Sequence, residues 1–176
     1  MDRFLEEIVI KKNKALNEVL YVLSEVVIVF CALVGMMNLN MLFYGFSIGG
    51  LIFTAAYLGI AVALFLFRDR LRTEFEYTFT NGDMDFAQVY NNRKRKSLGS
   101  LKVNRVEAFG KVSGASFQRY VTMPGIKKTN WFLNRGAELY YFYFQKDSNK
   151  RIIIIEPSEE MVKYIKVYLP RGAWQE

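Results

Sequence analysis

The chain of 176 residues is 52% hydrophobic and 16% aromatic and carries a net charge of +7, which excludes a disordered chain and allows about one domain with a modest core. It has no histidine, the commonest general base and metal ligand, and its one cysteine, Cys31, cannot form a disulfide within the chain, which fits a reducing compartment. The charge is uneven: residues 1–67 hold four cations and five anions, residues 68–176 twenty and twelve.

The first stretch, residues 1–18, reads "MDRFLEEIVIKKNKALNE". Phe4, Leu5, Ile8 and Val9 share one face if it is a helix, with Arg3, Glu6, Glu7 and Lys11 elsewhere. This predicts a cytoplasmic amphipathic segment, either a short helix on the inner leaflet or an extension of the helix that follows.

Two apolar runs come next, over residues 19–37 and 42–67. The second holds 26 residues without a charge, about 39 Å as a helix against a hydrocarbon core of about 30 Å. The first carries one charge, Glu25. Together, residues 19–67 predict a transmembrane helical hairpin linked by the uncharged "NLNM". A cleaved signal peptide fits poorly, because acids precede the first run and no small-residue cleavage site follows it. Arg3, Lys11, Lys12 and Lys14 flank the first span, and Arg68, Arg70 and Arg72 follow the second. Positive flanks place both termini in the cytoplasm of a multi-pass protein of the cell membrane.

Within the spans, Gly45 and Gly49, continued by Ala55, Gly59 and Ala63, predict a small-residue face that packs against the other span or a second copy. An antiparallel hairpin brings Glu25 near Arg68 or Arg70, which predicts an ion pair in preference to transport.

The periodicity changes at residue 73. "EFEYTFT", the Asn81-Gly82 turn and "DMDFAQVY" read as a β-hairpin. "RKRK" follows, Arg93, Lys94, Arg95 and Lys96, read as a loop. "LGSLKVNRVEAFG", "NWFLN", "ELYYFYFQ" and "KRIIIIE" supply further strands, and residues 113–130 stay unassigned. Ser158 caps a closing helix whose apolar stripe is Met161, Ile165 and Tyr168 or Leu169, stopped by Pro170 and Gly172. Residues 68–176 thus form one cytoplasmic domain of six or seven antiparallel strands and a terminal helix.

That order is similar to the pleckstrin-homology (PH)-like fold. "MDRFLEEIVIKK" and "FEYTFTNGDMDF…RKRK" resemble a family of bacterial two-span membrane proteins of unknown function with a cytoplasmic PH-like domain. The resemblance implies a membrane helical hairpin plus an antiparallel PH-like β-barrel closed by a C-terminal helix. It brings no catalytic residues.

The residues themselves offer no catalytic, cofactor or metal site. Asp83 and Asp85 flank a turn, and Lys111, Ser113 and Ser116 match no serine–lysine pattern. A non-enzymatic module is expected, with the lipid bilayer as one partner. Its domain binds a protein partner or another copy, for which the exposed strand edges and the tyrosine-rich "ELYYFYF" are the candidate surfaces. Alternatively it binds anionic lipid of the inner leaflet through Arg93–Lys96. A transporter or channel role is disfavoured by the single intramembrane carboxylate, and nucleic acid by the tether and the lack of a recognisable motif.

Overall fold

A computed structural model describes residues 3–175. Two compact units divide the chain: Asn13–Thr73 form one, and Met1–Lys12 with Glu74–Glu176 form the other. The sheet-rich unit is therefore discontinuous, and the expected boundary at residue 68 gives way to a helical hairpin inserted between two neighbouring strands.

In the helical unit, α1 (Ala15–Tyr44) and α2 (Ile48–Phe67) run past each other. Both are long and apolar enough to cross a membrane, and only 22% and 11% of their apolar windows are buried, far too little for helices inside a globule. The expected "NLNM" link is instead helical. Asn38 donates its side-chain N–H to the Val34 carbonyl, and nothing over residues 38–41 stops a helix. The reversal comes at Gly45–Ser47, where Gly45 leaves the helical conformation and Ser47 caps α2. Tyr21, Ser24, Cys31 and Gly35 on α1, and Thr54 and Ala61 on α2, are buried at heptad-like spacing. Gly35 lets α2 approach closely there, since a Cβ would stand 2.7 Å from the Leu58 side chain and force it to move. Ser24 and Thr54 bond back to the Tyr21 and Gly50 carbonyls, so neither hydroxyl is left bare.

In the other unit, sheet A comprises β1 (Phe4–Val9), β2 (Thr73–Thr80), β3 (Asp83–Tyr90) and β4 (Lys94–Lys102), in that order. The N-terminal segment is thus a strand, where an amphipathic helix was expected. Pairing with β2 satisfies six backbone residues and turns Leu5 and Val9 to the core, which a six-residue helix could not match. Asn81 and Gly82 make the β2–β3 turn at φ 50° and 93°, with the Tyr168 ring lying where a Cβ on Gly82 would sit.

Sheet B has the order β6 (Lys127–Trp131), β8 (Asn149–Ile155), β7 (Tyr140–Lys146), β5 (Ala108–Lys111) and β9 (Trp174–Gln175). The two sheets are separate, so the expected closed barrel is not found. Both contribute to one core, with Phe75, Tyr77 and Phe79 from β2, Phe142 and Phe144 from β7, and Met161 and Ile165 from α4 (Glu159–Tyr168). The unassigned stretch supplies α3 (Ala115–Val121), whose Phe117 and Tyr120 pack on the other face of sheet B against Tyr141, Tyr143, Ile152 and Ile154. Strand β7 is consequently buried on both faces, and "YYFYF" is interior. Two covered faces explain why β7 and "IIII" of β8 are continuously apolar rather than alternating.

Candidate functional site

The basic run lies where β3 turns into β4. Asn91 and Asn92 take the left-handed conformation at φ 50° and 51°, which asparagine tolerates, and the Arg93 N–H closes the turn on the Tyr90 carbonyl at 3.0 Å. Only Arg93 belongs to the turn; Lys94, Arg95 and Lys96 open edge strand β4, paired with Tyr90, Val89 and Gln88. This corrects the expected loop. The two asparagines complete the reversal early, and cations along an edge deter further strand pairing.

The four cations are not equivalent. Arg95 crosses the outer face of sheet A to Glu76, at 2.8 Å, and Glu76 is only 15% exposed. Arg95 lines a shallow cleft of about 370 Å³ with Thr78, Asp85, Phe86, Ala87 and Ser97. Arg93, Lys94 and Lys96 are exposed and point into solvent.

Strand direction decides which end of the sheet they occupy. Strand β1 leaves toward the hairpin at Val9, and β2 enters from it at Thr73. Antiparallel order through β2, β3 and β4 brings Lys94 back to that same end.

Elsewhere in this unit, four carboxylates from three stretches of the chain, Glu7, Glu138, and Glu156 with Glu159, line a cleft of about 290 Å³ with Lys12, Tyr140 and Ser158. Sequence reasoning missed it because no local pattern joins them. Asn134 donates to Glu156 at 2.8 Å and to the Ile10 carbonyl at 2.9 Å, and accepts from the Lys12 N–H at 2.7 Å. Burial, reinforced by the Glu156 charge, holds the Glu7 carboxyl above its usual range, despite the Ser158 N–H that it accepts. Lys111, with help from the Tyr140 hydroxyl, holds Glu138 below its usual range. Burial, with the Glu138 carboxylate as its acceptor, raises Tyr140 to about 12, so its hydroxyl stays a proton donor. Among the described residues, no cluster of three or more acids or cysteines is arranged to hold a metal ion.

A raised carboxyl pKa favours the protonated form in the fold, so its contribution is present below the unfolded value of about 4.5 and fades as pH rises through the folded value. Glu7→Gln keeps an acceptor for Ser158 and should raise the melting temperature at pH 7 by about 1–3 °C, with the gain vanishing near pH 4. Thermal unfolding of the detergent-solubilised protein at the two pH values measures it; equal melting temperatures at pH 7 would discount the strain.

In the helical unit, Arg68 pairs with Glu25, and Arg70 lies over the Phe67 ring at 4.7 Å. One turn away, Arg72 grips Glu18 and sits 3.7 Å over Tyr21, while Asn17 donates to the Leu71 carbonyl. Glu18, Tyr21 and Glu25 fall on one helical face, a signal present in the sequence but unused. The small residues behave otherwise. Gly45 lies in the link, and Gly45, Gly49, Ala55, Gly59 and Ala63 are all exposed, so they do not pack on α1. Gly35, Thr54 and Ala61 carry that contact.

Residues 1–175 match the family described as Bacterial PH-like domain (DUF6106). The chain belongs to this family. No curated protein and no solved structure matches it. Family membership extends over the hairpin as well as the strands, so the PH-like domain carries its two apolar helices as an insertion after its first strand.

Proposed function

We propose that this PH-like protein is a non-enzymatic module, anchored in the cell membrane with both termini cytoplasmic, whose domain engages anionic lipid headgroups through the basic end of sheet A. The observation that carries this reading is the strand order: the cations stand at the end from which both connections to the hairpin leave. Strand β4 lies two strands from β2, about 10 Å away. One connection is the 3-10 turn Arg68–Arg72, the other the five residues 10–14, which reach at most about 18 Å. Cations held that close to an anionic surface gain about 1 kcal/mol each. The protein-partner reading rested on exposed sheet edges and on the tyrosine-rich strand, and burial of that strand on both faces removes the second of these supports.

The test uses the sheet unit with residue 10 joined to residue 74 through an Asn-Gly turn. It should bind vesicles containing anionic lipid over neutral ones, and less at high salt. Glutamine at Arg93, Lys94 and Lys96 should weaken binding by about 100-fold, from about 1 kcal/mol per cation. Arg95→Gln alone should matter little, because Glu76 already holds that charge. Glutamine at Lys146, Lys150 and Lys163, three cations against three, controls for net charge; a loss equal to that of the first variant would overturn the reading.

Sidedness has its own test. With Cys31 replaced by alanine, a cysteine at Phe46 in the link should react with an impermeant thiol reagent on intact cells, and one at Ser148 should not. The reverse pattern would invert the topology.

A further inference from the structure

Strand β1 carries Phe4, Glu6 and Ile8 on its outer face, opposite Thr80, Thr78 and Glu76 of β2. Ile10 follows directly after the last residue of the strand. Val9, between the two isoleucines, is in the core, whereas Ile8 is 53% and Ile10 43% exposed. Both stand at the hairpin-proximal end of the sheet. The Ile10 backbone is fixed to the domain, because Asn134 bonds its carbonyl and the Lys12 N–H. The exposure is therefore not that of a loose tail. Phe4 is 63% exposed on the same face, but at the far end of the strand, about 13 Å from Ile8 and about 20 Å from Ile10.

Single exposed apolar residues are ordinary on a protein surface. Here two β-branched side chains share one end of one sheet with three exposed cations about 14 Å away across the strands, Arg93 in the turn and Lys94 and Lys96 on the opposite face from Arg95. Apolar side chains flanked by cations, on a short tether to membrane helices, suit the boundary between headgroups and acyl chains. That boundary accepts apolar groups to a depth of about 5–10 Å, while the cations remain among the phosphates. We propose that Ile8 and Ile10 form an apolar foot by which the domain dips into the leaflet beside its basic turn. The foot rests on the lipid reading above and adds a part that headgroup charge does not supply. It makes docking depend on acyl-chain depth as well as on surface charge.

The full-length chain, with Cys31→Ala, is reconstituted in vesicles of phosphatidylcholine and phosphatidylglycerol, and single cysteines at positions 4, 8, 10 and 92 are labelled with pyrene. Lipids brominated high on the acyl chain report insertion, and a headgroup spin label reports the basic turn at position 92. Strong bromine quenching at 10, weaker at 8 and none at 4 is the expected result. Quenching at position 4 equal to that at 10 would overturn the foot, as would absence of quenching at 8 and 10. Excimer emission at 8 or 10 would also overturn it, since a second copy would then cover the isoleucines. Spin-label quenching at 92 without bromine quenching at 10 removes the foot and leaves the headgroup reading intact. Bromine quenching at 10 without a response at 92 supports the foot and removes the headgroup reading.

Discussion

Ile165→Asp is expected to unfold the sheet unit. Ile165 is fully buried on α4, with Met161 and Val162, against residues from both sheets. Aspartate there loses the transfer energy of a buried isoleucine and places a carboxylate among the apolar side chains of the core. The combined cost should exceed about 4 kcal/mol, much of the roughly 5–15 kcal/mol that holds an ordinary domain together. Val167 lies on the same helix and is exposed, so Val167→Asp should change stability by less than about 0.5 kcal/mol. Trp131 and Trp174 both pack against this core, and their fluorescence during denaturant unfolding gives the readout. If both variants unfold together with the parent, α4 does not close the core.

Removing β1 should have a similar effect, although most of the sheet unit lies after residue 73. Strand β1 buries Val9 and partly buries Leu5, and pairs with β2 from Phe4 to Val9. Two such side chains are worth about 3–6 kcal/mol by burial alone. Deletion would also bare the edge of β2, with its aromatic inner face, and invite aggregation. A fragment of residues 73–176 should therefore be much less stable than the same unit with residues 3–10 joined to residue 74 by Asn-Gly. The register supports that joint, because Val9 and Phe75 are direct partners. Equal denaturation midpoints for the two chains would mean that β1 is dispensable.

Some features are legible in one segment without help from the rest of the chain. A charge-free run of 26 residues requires a helix too apolar for water, and composition suffices to show it, although only its last twenty residues form α2. Asn81-Gly82 between alternating strands requires a tight turn, because few other residues accept its positive φ. Ser158 followed by two glutamates and a stripe at helical spacing required α4, and its serine does cap the Met161 N–H.

Tertiary structure decided what depends on a distant partner. "FLEEIV" reads as an amphipathic helical segment by itself; the free edge of β2, more than sixty residues later, made it a strand. "YYFYF" reads as half exposed until α3 covers the second face of sheet B, and α3 comes from the one stretch with no clear period. The small residues of α2 carried a packing signal without a direction, and the heptad-like positions Gly35, Thr54 and Ala61 took the contact instead. The basic run announced its charge but not its place. Three antiparallel reversals brought it to the end of the sheet where the hairpin departs, and only strand order, a property of the whole sheet, could do that.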